Sequence, residues 1–247
     1  MMKYNNHKIF KYNDYDDIDY GWGCAYRTTQ TVLYAYLKLN NKILDCNNNI
    51  IEYNNKILDC NNKILDCNNN IIEYNNNKEK YLSINEIIEI LNTKGNYLNI
   101  ILEKGWLEPF DSYILFQKHF KFININLYFV SHNNFNTSKI QQRRWSNYEL
   151  EKNQLSKYKC LNVKEFLKIL NTHFNINKCE YPLIIDDSIY SYNILDYNDK
   201  EVIIGDPHIY MDTSLKSKNN ISKIIYSISN EKFINMINKG CMIFHLF

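Results

Sequence analysis

The most regular hydrophobic pattern in the chain has a period of seven. Residues 40–74 read NNKILDC, NNNIIEY, NNKILDC, NNKILDC and NNNIIEY, five copies without a gap. Apolar positions such as Ile43, Cys46, Ile50, Tyr53 and Ile57 alternate three and four apart, which is the spacing of a coiled-coil seam. Each copy nevertheless opens on two Asn, which are poor helix formers and lack the charges that flank a seam. Residues 40–76 are therefore expected to be a duplicated low-complexity insertion in a surface loop. A host fold tolerates such an insertion because loop-closure entropy grows slowly with length.

Elsewhere the pattern alternates between helical and extended periods. Ala25, Thr28, Thr29, Val32, Leu33, Tyr36 and Leu37 predict a helix over 24–39. Ser83 and Glu86 have the spacing of a capping box ahead of the apolar run Ile84 to Leu91. Residues 110–120, 163–174 and 230–238 also have helical spacing. Short β-rich runs lie at 125–130, 181–185, 188–195 and 201–205, and the chain closes on the apolar run CMIFHLF. The long helix comes first and the strands cluster later. That predicts an α+β fold, a helix packed on a mostly antiparallel sheet, in one domain over 1–247.

Charge narrows the function classes. With 29 basic and 27 acidic residues the net charge is +2, which gives no nucleic-acid footprint. The one basic cluster, QQRRW at 141–145, reads as a solvated loop. No apolar run reaches the ~18 residues of a membrane span. The opening MMKYNNHKIF lacks the apolar core of a secretory signal, so a cytoplasmic protein is expected. The 7 cysteines are odd in number and include no C-x-x-C pair. Neither a disulfide framework nor a zinc ribbon is expected, and no metal or cofactor is called for.

One cysteine has special surroundings. In DYGWGCAYRTTQ, residues 19–30, Cys24 opens the predicted helix. A helix N-terminus favours negative charge, and the thiolate is the nucleophilic form of cysteine. Gly21 and Gly23 are expected to turn the chain sharply and to leave room for a substrate backbone. A nucleophilic thiol needs a base, and the base needs an orienting group. Of the 6 histidines, His208 stands out, in IIGDPHIY at 203–210. On an extended chain Asp206 and His208 share a side, ~6.5–7 Å apart at Cα. The bland alternative is a turn in which Asp206 caps the chain. A developing oxyanion also needs donors. The Cys24 N–H is one, and Tyr4, Tyr12, Tyr15 and Tyr20 are side-chain candidates that the residues alone leave open.

YNDYDDIDYGWGCAYRTTQT, residues 12–31, resembles the active-site segment of the ubiquitin-fold-modifier-specific cysteine proteases, in their short form. The shared residues include Tyr12, Asp14, Asp16, Asp17, Gly21, Trp22, Gly23, Cys24, Tyr26, Arg27, Gln30 and Thr31, with Asp206, Pro207 and His208 matching a later Asp-Pro-His. Trp106 in KGWLEPFDS loosely matches a further family segment. The resemblance implies a papain-like fold, Cys24 as nucleophile, His208 as general base and acid, Asp206 as its partner and Tyr12 as the side-chain oxyanion donor. It implies a monomeric thiol protease that cuts after the C-terminal glycine of a ubiquitin-fold modifier, in maturation or deconjugation. Autophagin-type proteases share Gly-Trp-Gly-Cys and Asp-Pro-His and are the nearest alternative. A non-catalytic modifier-binding module on the same fold is another, because Asp186, Asp187 and Ser188 stand where the family has glycines. Trp22 is expected to pack beside the cleft, and Arg27 to pair with an acidic residue at 14–19.

Overall fold

The strongest sequence signal, the helix at Cys24, sits against the middle of a seven-stranded sheet. A computed structural model describes residues 8–12, 14, 19, 23–40, 42–44, 50–52, 63–65, 71–73, 82–94, 107, 109–122, 124–131, 158–187, 189–208 and 224–247. The expectations for Trp22, Trp106, Ser188 and QQRRW lie outside these residues, as do Tyr4, Tyr15 and Tyr20. The helices are α1 (Cys24–Leu39), α2 (Ile84–Lys94), α3 (Pro109–Ile114), α4 (Val163–Asn171) and α5 (Asn230–Ile237). Helices α3 and α4 each run on into a π-helical turn, Leu115–His119 and Thr172–Ile176 respectively.

The large sheet contains β5 (Ile125–Val130), β6 (Tyr158–Leu161), β7 (Leu183–Asp186), β8 (Ser191–Tyr197), β9 (Glu201–Gly205), β10 (Ile225–Ser229) and β11 (Cys241–Leu246). Its order is β10-β9-β8-β7-β11-β5-β6, and every pairing is antiparallel except β5 with β6. The α+β expectation and its mostly antiparallel sheet therefore hold. Strand β8 begins later than the expected 188–195. Asp187 Oδ1 accepts from the backbone N–H of Ile189 at 2.9 Å and Tyr190 at 2.8 Å, fixing a turn there instead.

Helices cover both faces, not one. Tyr26, Val32 and Leu33 of α1 join Ile84 and Ile87 of α2, Phe110 of α3, and Ile184 and Phe244 of the sheet in one core. Phe166 and Leu170 of α4, Phe233 and Ile237 of α5, and Leu183, Ile185 and Ile243 make the other. Neighbours such as Ile184 and Ile185 fall in different cores because strand side chains alternate. Strand β11 is buried along its whole length, which explains its unbroken apolar run. Local signals start the helices. Ser83 and Glu86 do form a capping box, with Glu86 N–H donating to Ser83 Oγ at 3.1 Å and Ser83 N–H to Glu86 Oε2 at 2.7 Å. Asn162 and Glu165 make a second box at α4.

The heptad repeat contains two short hairpins. Strand β1 (Lys42–Leu44) pairs with β2 (Ile50–Glu52), and β3 (Lys63–Leu65) pairs with β4 (Ile71–Glu73), all antiparallel. The KIL and IIE triplets thus pair as strands, Ile43 opposite Ile51 and Ile64 opposite Ile72. Isoleucine suits a pleated strand better than a helix flanked by Asn.

A histidine pair lies buried under β11. His245 Nε2 is 2.8 Å from His173 Nδ1, and His173 Nε2 is 2.8 Å from the Tyr181 carbonyl oxygen. A carbonyl only accepts, so His173 carries its proton on Nε2 and accepts at Nδ1 from His245 Nε2–H. That leaves the lone pair of His245 Nδ1 buried with no hydrogen bond. Burial, then the neighbouring His173, pulls His245 down from 6.5 to about 3. The unfolded chain takes up this proton near pH 6.5 and the folded chain does not. The stabilisation is therefore complete above that pH and is lost as pH falls towards 3. Between pH 7 and pH 4.5 the protein should lose about 2–3 kcal/mol of unfolding free energy through His245. Urea unfolding at both pH values should show a smaller loss in His245→Phe. Equal losses in the two proteins would remove His245 as the cause.

Candidate functional site

The site is assembled from three segments: the start of α1, the stretch around residue 12, and the end of β9. The first is held by a buried ion pair. Arg27 Nε donates to Asp19 Oδ2 and its terminal nitrogen to Asp19 Oδ1, both at 2.9 Å, with both side chains fully buried. Arg27 also donates to Gln30 Oε1 at 3.1 Å and to the Asp14 carbonyl at 3.0 Å. The pairing expected of Arg27 is thus with Asp19. It ties Asp19 and the Asp14 backbone to the first two turns of α1.

This pairing changes the explanation for Gly23. Its N–H donates to the Asp19 carbonyl at 2.9 Å. A Cβ on Gly23 would lie 2.0 Å from Asp19 Oδ2. The space beside Gly23 is occupied by the Asp19 carboxylate, not kept open for a substrate. Its φ of −82° is ordinary for any residue, so close approach, not backbone freedom, requires the glycine.

Cys24 is the first residue of α1 and is 5% exposed. Among the described residues no side chain caps that helix N-terminus, which leaves its first-turn N–H groups without a side-chain cap there. Behind it, Thr28 and Thr29 bond back to the Ala25 carbonyl and outward to Ser191 and Ser112. Asn193 Nδ2 donates to the Thr28 carbonyl at 3.1 Å. These bonds clamp α1 to β8 and α3.

At the end of β9, Asp206 and His208 meet, though not on an extended chain. Pro207 and His208 form a turn. Asp206 Oδ1 accepts from His208 N–H at 2.9 Å and from His208 Nδ1 at 2.6 Å. The capping turn and the carboxylate–imidazole contact, set against each other in the sequence, are one structure. The Pro207 carbonyl accepts from Tyr12 N–H at 3.1 Å, bringing Tyr12 to the same place. The Tyr12 ring meets the His208 ring edge-on, with centroids 5.5 Å apart.

The electrostatics connect the groups. Burial pulls His208 down, but the Asp206 hydrogen bond and then Cys24 outweigh it and raise the imidazole to about 9. Burial pushes Asp206 up, but its bonds from His208 and Tyr226 bring it below the usual carboxylate range. Burial, then the charge and hydrogen bond of Cys24, drives Tyr12 well above an ordinary phenol. Tyr12 is thus a neutral donor at any working pH. His208 Nε2 is buried and makes no hydrogen bond of good geometry among the described residues.

Three residues near His208 were not singled out in the sequence. Tyr190 and Tyr192 pack on its ring, with centroids 4.8 Å and 5.1 Å away, and Tyr226 OH donates to Asp206 Oδ2 at 3.2 Å. Only the register of β8 and β10 against β9 would have found them. Ile189 and Tyr190, at the tip between β7 and β8, are 61% and 47% exposed. Among the described residues no His, Cys, Asp or Glu group could hold a metal, and no helix is long and apolar enough to cross a membrane.

A thiol beside an imidazole, itself held by a carboxylate, can pass a proton from sulfur to nitrogen and return it later. No protein-family profile matches the sequence, and no curated protein matches it. Among solved structures, it is similar to a crystal structure of UfSP from C. elegans, with a TM-score of 0.48 and 15% identity. The match covers 96% of this chain and 32% of that one, so this chain spans about a third of its length.

Proposed function

We propose that this protein is a papain-like thiol protease acting at the C-terminal glycine of a ubiquitin-fold modifier. The observation that carries the chemistry is the convergence of Cys24, Tyr12, Asp206 and His208 from distant segments. The choice of modifier rests on the resemblance of residues 12–31 and 206–208 to that protease family. Cys24 attacks the carbonyl carbon of the terminal glycine. Its proton goes to His208, which returns it to the leaving amine. Asp206 holds the imidazole and balances its charge. Tyr12 and the Cys24 N–H donate to the oxyanion. Water then releases the modifier from the thioester. No metal or cofactor takes part.

One observation favours a second reading, a modifier-binding module without turnover. Asp186 and Asp187 stand where the family carries glycines, and the Asp187 turn puts the exposed Tyr190 beside His208.

A ubiquitin-fold modifier bearing a thiol-reactive group at its terminal glycine decides between them. The protein should form a covalent adduct that Cys24→Ala abolishes, and the equivalent ubiquitin and autophagy-modifier probes should leave it unlabelled. Labelling by the autophagy probe alone would reassign the substrate. Binding without an adduct would select the non-catalytic module.

A further inference from the structure

We infer that Tyr226 is a positioning residue for the candidate catalytic pair, fixing the plane of the Asp206 carboxylate so that His208 keeps one orientation. The pair is catalytic on the protease reading above. The Asp206 carboxylate is shared between two donor residues. Both bonds from His208 end on Oδ1, at 2.9 Å and 2.6 Å. They hold one oxygen and leave the group free to swing about its Cβ–Cγ bond, a torsion with only broad preferences. Oδ2 accepts from Tyr226 OH at 3.2 Å. That second anchor defines the plane in which Nδ1–H must lie.

The sheet delivers the hydroxyl to this spot. Strand β10 pairs with β9 so that Tyr226 lies opposite Ile204 and Ile225 opposite Gly205. Asp206 is two residues beyond Ile204, hence diagonal to Tyr226, within reach of an aromatic side chain. The pairing continues past β9, with Asp206 N–H donating to the Ile224 carbonyl at 2.8 Å. Burial and then the Asp206 charge hold the Tyr226 phenol above its ordinary value, so it donates throughout the working range. The other ionisable groups around the imidazole are Cys24, Tyr12, Tyr190 and Tyr192. None of these donates to Oδ2, so the anchor is specific to Tyr226 among the described residues.

Tyr226→Phe tests this, because it keeps the ring that packs on the core and removes only the hydroxyl. The first readout is the NMR titration of the His208 ring, which needs no substrate. With the carboxylate plane released, the Nδ1–H bond to Oδ1 weakens and the midpoint should fall by about 0.5–1 pH unit; a rise, the result if the hydroxyl only drained charge from Asp206, would overturn the role. The pH profile of Cys24 alkylation by iodoacetamide should move with the midpoint. Turnover of the modifier substrate should fall about threefold to tenfold with KM nearly unchanged. Coincident titrations and alkylation profiles in the two proteins would overturn the role. If the modifier probe never reacts but the midpoint still falls, the protease reading fails and the positioning role stands.

Discussion

Asp206→Ala should reduce turnover of the modifier substrate by roughly 10³–10⁴ while leaving the fold intact. The carboxylate does three things at once in this structure. It accepts from His208 N–H and so forms the turn. It accepts from Nδ1 and so directs the other ring nitrogen away from itself. It also supplies the negative charge that, with Cys24, lifts His208 to about 9 against burial. Removing it frees the ring to rotate and lowers its affinity for the proton it must hold and return. The loss belongs to kcat, because nothing in Asp206 is placed to bind the modifier. Asp206→Asn separates geometry from charge. With its oxygen towards His208 it keeps the acceptor for Nδ1–H, while its amide must donate to the Tyr226 hydroxyl and reverse that bond; a loss as large as that of Asp206→Ala would assign the effect to the charge. Steady-state rates of both variants check this, and activity within tenfold of wild type for Asp206→Ala would remove Asp206 from the mechanism.

The same residue shows what the sequence could convey. The Asp-Pro-His triplet was legible, but extended-chain reasoning put its members on one side of a strand. Proline at position 207 with a carboxylate before it favoured the turn that forms. Helix α1 was legible from its apolar spacing. Its burial on nearly every side was not, because Thr28, Thr29 and Gln30 are polar and buried only through partners far along the chain: Ser191, Ser112 and the Leu82 carbonyl. Strand β6 was missed because YKCL is half exposed and pairs in parallel with β5, which leaves no alternation to read. Tyr226 could not be chosen from 21 tyrosines, since its meaning depends on the register between β9 and β10. The repeat reads as a loop insertion in spite of its seam-like spacing. Its period of seven suggests a helix, whereas its isoleucine triplets pair as strands.

The Arg27→Ala variant should lose about 3–5 kcal/mol of stability, the cost of leaving a buried carboxylate without its partner. Asp19 and Arg27 are both wholly inside the protein, in a bidentate pair. Removing the guanidinium also strands Gln30 Oε1 and the Asp14 carbonyl, which Arg27 serves. A lysine cannot replace it, because one ammonium cannot match the two parallel bonds to the carboxylate, so Arg27→Lys should recover little. The double variant Arg27→Met with Asp19→Leu removes both charges and should regain much of the loss, since a buried pair gains little net energy over an apolar one. Urea unfolding of the three variants against wild type gives the comparison. If Arg27→Ala cost less than about 1 kcal/mol, the pair would be behaving like a surface ion pair and its burial would be wrong. The recovered double variant should still be impaired at Cys24. The Asp19 carboxylate fills the space beside Gly23, so its replacement should leave iodoacetamide alkylating Cys24 with an altered pH profile even when stability has returned. The ion pair therefore connects two roles, holding the N-terminal segment in the fold and setting where the thiol sits relative to His208.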